Sequence, residues 1–305
     1  YFFTSGRYEY KNKGFDMTLE ALARLNYKLK MIGSDMTVVM FFITNRPCHS
    51  INPDVLNSRA VMEELRKSSE GMGRDVGEKL FNYLSSHSGN SNLPDLNDFI
   101  NETTKFRIKR TLQSWNTNTL PPVVTHNIVD DYKDEILGFV RSAGLINKKD
   151  DRVKIVYHPA FISPDNPLFG MEYSEFVRGC HLGVFPSYYE PWGYTPCESL
   201  ASGLPAVTTD LAGFGDYVEN FTSGDESRGI KVLHRRGRAF DQSAEDLSNF
   251  LLRFATSTSR ERIMMRTGAE DFSVEFDWKS LIRYYFDAYD YICKPGKTVH
   301  SAKRP

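Results

Sequence analysis

The chain has 305 residues, 40% of them apolar, with 38 lysines and arginines against 39 aspartates and glutamates. It is long enough for a sizeable core, and a formal net charge of −1 supplies no field that would draw it to nucleic acid or to a membrane surface. Cys48, Cys180, Cys197 and Cys293 stand far apart without metal or redox spacing, and no signal-like segment or long apolar span is present, so a cytoplasmic protein is expected.

Tyr1-Phe-Phe-Thr4 reads as a buried strand, and an opening on a strand without an initiator methionine suggests part of a longer protein. Residues 5–14 form a loop carrying Arg7, Lys11 and Lys13. Phe15 and Asp16 have the pattern of a hydrophobic staple and an N-cap for a helix through Leu19, Leu22, Ala23 and Leu25. Thr37-Val-Val-Met-Phe-Phe-Ile43 is a second buried strand. Between residues 53 and 120 strand signals stop. Polar helices over 55–67, 76–86 and 99–115 replace them, with the break Ser85-Ser-His-Ser-Gly-Asn-Ser-Asn92 among them. Pro121-Pro122 closes this helical insertion, and Val123-Val-Thr125 resumes the sheet. A helix over 130–145 and the strand Arg152-Val-Lys-Ile-Val-Tyr157 form another alternating unit. His158-Pro-Ala-Phe161 follows as a loop at a strand's carboxyl end.

Leu182-Gly-Val-Phe185 and Ala206-Val-Thr-Thr209 read as buried parallel strands joined through one short helix. Thr195 is placed as its N-cap, Pro196 at its first position and Glu198 three residues after the cap, and Gly203 with Pro205 ends it. Glu198 is then either a capping-box partner or a ligand group, and Glu190 either a solvated loop acid or a second one. Tyr188, Tyr189, Trp192 and Tyr194 give this loop more aromatic surface than a plain connection carries. Backbone N–H groups at a helix start favour an anion such as a diphosphate, and carboxylates beside them suit sugar hydroxyls. The local chemistry points to a sugar phosphate or sugar nucleotide, without saying which. Residues 211–216 form a tight loop opening another helix, Gly229-Ile-Lys-Val-Leu233 is the last strand, and His234-Arg-Arg-Gly-Arg238 reads as a solvated basic turn. Helices follow over 243–255 and 257–272. The second bears Arg260, Arg262 and Arg266, the last two four apart on one face. Asp277-Trp278 starts a closing amphipathic helix over 281–292. The alternation predicts an α/β fold with a doubly wound parallel sheet.

Glu190-Pro-Trp-Gly-Tyr-Thr-Pro-Cys-Glu198 resembles the two-glutamate acidic motif of retaining glycosyltransferases with the two-domain GT-B fold. Its flank Arg178-Gly-Cys-His-Leu-Gly-Val-Phe-Pro-Ser-Tyr-Tyr-Glu190 is similar to eukaryotic glycogen synthase of the animal and fungal type. So are Ser5-Gly-Arg-Tyr-Glu-Tyr-Lys-Asn-Lys-Gly14, Thr125-His-Asn-Ile-Val-Asp-Asp131, Asp151-Arg-Val-Lys-Ile-Val-Tyr-His-Pro159 and Asp277-Trp278. The resemblance spans essentially the whole chain. It implies that residues 1–305 are the Rossmann-like, nucleotide-sugar-binding carboxyl-terminal half of a GT-B enzyme. Residues 53–120 would be a helical insertion that builds a tetramer, and residues 257–272 an arginine-bearing regulatory helix. The implied activity is transfer of glucose from UDP-glucose to the non-reducing end of an α-1,4-glucan with retention, and this half alone would transfer none.

In that resemblance Arg7, Lys13 and Glu190 are catalytic, the first two holding the donor's diphosphate. Phe161 and Tyr173 meet the uracil, and Trp192, Gly193, Tyr194, Thr195 and Glu198 complete the UDP-glucose site. Arg262, Arg266 and His181 take glucose-6-phosphate as effector. The implied partners are glycogen and glycogenin, with no metal, organic cofactor, nucleic acid or membrane. The sequence departs from the family at Ala160, where glutamate is expected. It departs again at Ser259, Gly268 and Asp271, where the regulatory helix carries further arginines, which predicts a weak response to phosphorylation. Competing readings are another retaining GT-B glycosyltransferase, or a sugar-phosphate-sensing and assembly module without turnover. The latter has no need of Arg7, Lys13, Glu190 and Glu198 together. A phosphorylase-like enzyme would need a pyridoxal-phosphate lysine, and no stretch resembles one.

Overall fold

The computed structural model describes residues 1–86, 93–115, 120–222 and 224–293. They fall into two compact units, one of residues 1–50 and 123–305 and one of residues 51–122. The first is built on a parallel sheet of six strands. In chain order these are β1 (Phe2–Ser5), β2 (Val38–Ile43), β5 (Val153–His158), β6 (Leu182–Val184), β7 (Ala206–Thr209) and β8 (Ile230–Leu233), arranged β5-β2-β1-β6-β7-β8. Counted along the sheet, that is the order 3-2-1-4-5-6 of a doubly wound fold. A two-stranded ribbon of β3 (Cys48–Ile51) and β4 (His126–Ile128) accompanies it.

Alternation along each strand explains the two cores. Phe2, Met40, Phe42, Leu182 and Val207 point to the side covered by α1 (Phe15–Met31) and α8 (Phe240–Thr256). Phe3, Ile43, Phe185 and Ala206 point to the side of α5 (Tyr173–Gly179), α6 (Tyr194–Ala201), α7 (Gly213–Thr222) and α9 (Ser259–Ser273). Both faces are covered, so the strands read as unbroken apolar runs. Phe3 is fully buried and meets Phe176 and Phe185 edge-on at 5.7 and 5.4 Å. Truncation of such a ring costs about 3–5 kcal/mol. α10 (Trp278–Cys293) follows α9. α4 (Glu135–Ser142) precedes β5, its first turn capped by Asp134, whose carboxylate accepts from the Leu137 N–H at 3.0 Å.

Several local expectations shift. The predicted helix over 130–145 is a single 3-10 turn at Asp131–Lys133 followed by α4. Residues 123–125 do not form a strand of the sheet: Val124 makes one bridge to Tyr157, and the strand is β4, which leaves that edge to pair with β3. Asp16 is not an N-cap. Gly14, at φ 68°, takes that position, and the Asp16 carboxylate accepts from the Met17 N–H.

The second unit contains α2 (Pro53–Ser86), a 3-10 turn at Leu96–Phe99 and α3 (Glu102–Trp115). The helices expected over 55–67 and 76–86 are one 34-residue helix. Gly71, Gly73 and Gly77 weaken it by about 1 kcal/mol each relative to alanine, which interrupts nothing without a proline. Lys79 donates to the Phe99 carbonyl at 2.8 Å, and Tyr83 packs on the Phe99 ring. Phe81, Phe106 and Leu112 are exposed. Most of the break expected at 85–92 lies outside the described residues.

Candidate functional site

Strand order reverses between β1 and β6, and the loops after these strands open a cleft at their carboxyl ends. Lys13 and Glu190 meet there. The loop of Lys13 turns back at Gly14, where a Cβ would lie 2.0 Å from the Pro186 carbonyl oxygen, so only glycine lets the two loops approach. The Tyr188 N–H donates to the Asn12 carbonyl at 2.7 Å as a second tie. Opposite, Gly213 N–H donates to the Glu190 carbonyl at 3.1 Å and Phe214 N–H to the Trp192 carbonyl at 2.7 Å, pinning the loop to the start of α7. Thr209 donates its hydroxyl to the Ser187 carbonyl at 2.8 Å.

On this scaffold Lys13 Nζ donates to Glu190 Oε1, with the two side chains 15% and 21% exposed. The ammonium is thus neutralised by a carboxylate that can itself bind hydroxyls. Gly193, at φ 113°, is the N-cap of α6, and no side chain caps that helix's first turn. Thr195 is therefore not the cap, and Glu198 is no capping-box partner. The helix begins at Tyr194, two residues too early for that spacing. The Glu198 side chain is exposed and borders a hollow shared with Tyr173 and Thr195. The uncapped start of α6 and Lys13 line one cleft, an arrangement suited to an anion.

The other expected residues divide. Tyr173, first in α5, is anchored through a 2.6 Å hydrogen bond to Ser5, and burial pushes its phenol pKa up to about 12. Phe161 and Tyr194 are each 72% exposed. Trp192 is half-buried, packed on Phe214 and Tyr217 at 5.7 and 5.6 Å between ring centroids. Arg7 stands out in solvent, 84% exposed and paired with Glu9 at 3.2 Å. The structure brings Lys13 to Glu190 and does not bring Arg7 with it.

His181, Arg262 and Arg266 gather at the opposite, amino end of the strands. His181 and Arg262 border one hollow with Thr37 and Phe254. Arg266 donates to the Cys180 carbonyl at 2.9 Å and to the Arg178 carbonyl at 3.2 Å, closing the end of α5. Arg262 donates to the Ser257 carbonyl. Burial first, then these two arginines, lower the pKa of His181.

The basic turn after β8 is not wholly solvated. Arg235 is half-buried, donates to the Pro186 carbonyl at 2.5 Å and lies 5.3 Å from the Tyr188 ring centroid, so it props the Glu190 loop from below. Its position at the carboxyl end of a strand of an alternating fold was the available signal. Among the described residues no group of three or more His, Cys, Asp or Glu side chains could hold a metal ion. None of their helices is long and apolar enough to cross a membrane.

The sheet order and the polar cleft at its switch point define a Rossmann-like α/β protein. The glycogen synthase family matches residues 1–294, and the chain belongs to that family. It is 44% identical over 285 residues to the liver glycogen [starch] synthase of Homo sapiens, covering 93% of this chain and 40% of that protein. It is 42% identical over 296 residues to isoform 1 of glycogen [starch] synthase of Saccharomyces cerevisiae, covering 94% and 42%. The chain thus spans about 40% of the length of these curated relatives. A solved α,α-trehalose 6-phosphate synthase from Burkholderia multivorans overlays 96% of this chain on 43% of its own, with TM-score 0.46 and 11% identity.

Proposed function

We propose that this chain supplies the donor-binding half of a cytoplasmic glycogen synthase, which moves glucose from UDP-glucose to the non-reducing end of an α-1,4-glucan with retention. The observation that carries the reading is the Lys13–Glu190 pair inside the switch-point cleft, beside the uncapped start of α6. As the sugar–phosphate bond breaks, negative charge grows on the departing UDP. A cation already in place stabilises that charge without reorganisation. Lys13 exchanges Glu190 for the diphosphate, and Arg7 joins it by leaving Glu9. Glu190 and Glu198 then accept hydrogen bonds from sugar hydroxyls, with Trp192, Gly193, Tyr194 and Thr195 framing the glucosyl-diphosphate. Phe161 and Tyr173 take the uracil. No metal or organic cofactor is needed, because Lys13 and Arg7 do the neutralising.

The same reading makes Arg262, Arg266 and His181 a glucose-6-phosphate site and residues 53–120 a tetramer contact, with glycogenin as a further partner of the longer enzyme. The direct test is calorimetric titration of this chain with UDP and UDP-glucose, beside the Lys13→Ala variant. Saturable binding weakened by the substitution is expected. A folded chain that binds neither nucleotide sinks the reading.

A further inference from the structure

Behind the loop that carries Phe161 lies a buried polar chain with no part in the chemistry above. Thr125, His126 and His158 are buried, His158 completely. Thr125 Oγ1 sits 2.9 Å from His126 Nδ1 and 2.8 Å from His158 Nδ1. On the other side of the ring, His158 Nε2 lies 3.0 Å from Asn166 Nδ2, which also donates to the Phe161 carbonyl at 3.3 Å. Asn166 Oδ1 accepts from the Leu168 N–H at 2.9 Å.

That last bond settles the amide's orientation. Its oxygen is engaged, so its NH2 group faces the imidazole. An amide nitrogen only donates, so His158 Nε2 must offer a lone pair. Nδ1 then carries the proton and donates to Thr125, whose hydroxyl can donate onward to His126 Nδ1 or to the Tyr157 carbonyl at 3.3 Å. This arrangement serves each of these contacts and requires a neutral His158. Burial, followed by the neighbouring His126, pushes the His158 pKa down to about 4 against an opposing contribution from the Phe161 carbonyl.

The loop depends on this hub. Phe161 is 72% exposed, so its place is set through its backbone. Asn166 ties that backbone down and turns the chain as well, its N–H donating to the Ser163 carbonyl at 3.0 Å and its carbonyl accepting from Gly170 at 2.8 Å. We propose that Asn166, held by His158, is a positioning residue that fixes Phe161 and so sets the affinity of the site for the uracil base. The inference rests on Phe161 meeting that base.

The test compares UDP with pyrophosphate, which shares the diphosphate and lacks the base, by titrating the chain and its Phe161→Ala and Asn166→Ala variants. If the loop is competent a tenth of the time without its tie, Asn166→Ala weakens UDP binding about tenfold. It should leave pyrophosphate binding within about twofold, a shift that corresponds to about 0.4 kcal/mol. Phe161→Ala without effect on UDP would overturn the base contact, and this proposal with it. A harmful Phe161→Ala beside a harmless Asn166→Ala overturns the proposal alone. So does equal loss of UDP and pyrophosphate in Asn166→Ala, which would mark general damage. Nitrogen-15 NMR of the unmodified chain needs no variant to fold: His158 Nε2 should be unprotonated, and a proton there excludes the Asn166 tie.

Discussion

The two ends of the six-stranded sheet both gather cations, and they hold them differently. At the carboxyl end Lys13 faces the Glu190 carboxylate inside a cleft. At the amino end Arg266 and Arg262 donate to main-chain carbonyls of Cys180, Arg178 and Ser257. A carboxylate is a discrete charge that an incoming anion can replace. A carbonyl at a helix end belongs to the fold, and the arginine that satisfies it acts as a cap. The contrast teaches that side-chain pairing leaves a whole charge free for exchange, whereas an arginine held on main-chain carbonyls keeps its place in the fold and offers a ligand only its remaining N–H donors.

Removing Lys13 gives the largest expected effect. In the full-length enzyme Lys13→Ala should lower turnover by about two to three orders of magnitude, the loss seen for one preorganised transition-state donor. Its unfolding free energy should move by no more than about 1 kcal/mol, as for a partly exposed pair. Steady-state kinetics beside a denaturant melt separates the two, and a large stability loss would erase the contrast.

Acid comes next, and it acts at the carboxyl end. His158 has a folded pKa of about 4, below the ordinary 6.5, because burial disfavours its charged form. The unfolded chain therefore takes the proton first. The stability His158 contributes is whole above about pH 6.5 and drains away as pH falls toward 4, by at most about 1.4 kcal/mol per pH unit. Urea melts at pH 7, 6 and 5 should show this slope, and His158→Gln should flatten it. An unchanged slope in the variant would remove His158 from the account.

Arg266→Ala should then destabilise the chain by about 1–2 kcal/mol, since it leaves the end of α5 without its charged donor. Because that role is local, loss of effector response in the Arg262→Ala, Arg266→Ala double variant should appear with basal activity still measurable. Activation by glucose-6-phosphate that survives at unchanged concentration returns both arginines to a purely structural part. The smallest effect belongs to Arg7→Ala, expected within about 0.5 kcal/mol in stability because the side chain is solvated. A larger loss would show that its pairing with Glu9 holds the first loop.

The parts legible in the sequence were those set by continuous local pattern. Leu182–Val184 and Ala206–Thr209 are buried on both faces, so their apolar runs announced them. Helix starts were misread where glycine does the work. Gly14 and Gly193 adopt positive φ before α1 and α6, while Asp16 and Thr195 merely had the right chemistry nearby. Within the cleft, the acidic motif was visible as spacing. The meeting of Lys13 with Glu190 was not, because 177 positions separate them and topology alone joins them. Arg235 and Asn166 were not legible for a different reason. Each acts on a backbone carbonyl, Pro186 or Phe161, and carbonyls leave no trace in composition.

If the proposed function holds, the Lys13–Glu190 pair also bears on how the longer enzyme would let go of its product. If the diphosphate takes Lys13 from Glu190, the carboxylate is left beside bound phosphates and needs a new donor. UDP-glucose brings one in the hydroxyls of its glucosyl group, which UDP lacks. The spent nucleotide therefore sits next to an unsatisfied negative charge, and Glu190 competes with it to recover the ammonium. Product inhibition by UDP should be weaker than the donor's own affinity would suggest, and Glu190→Gln should make UDP linger.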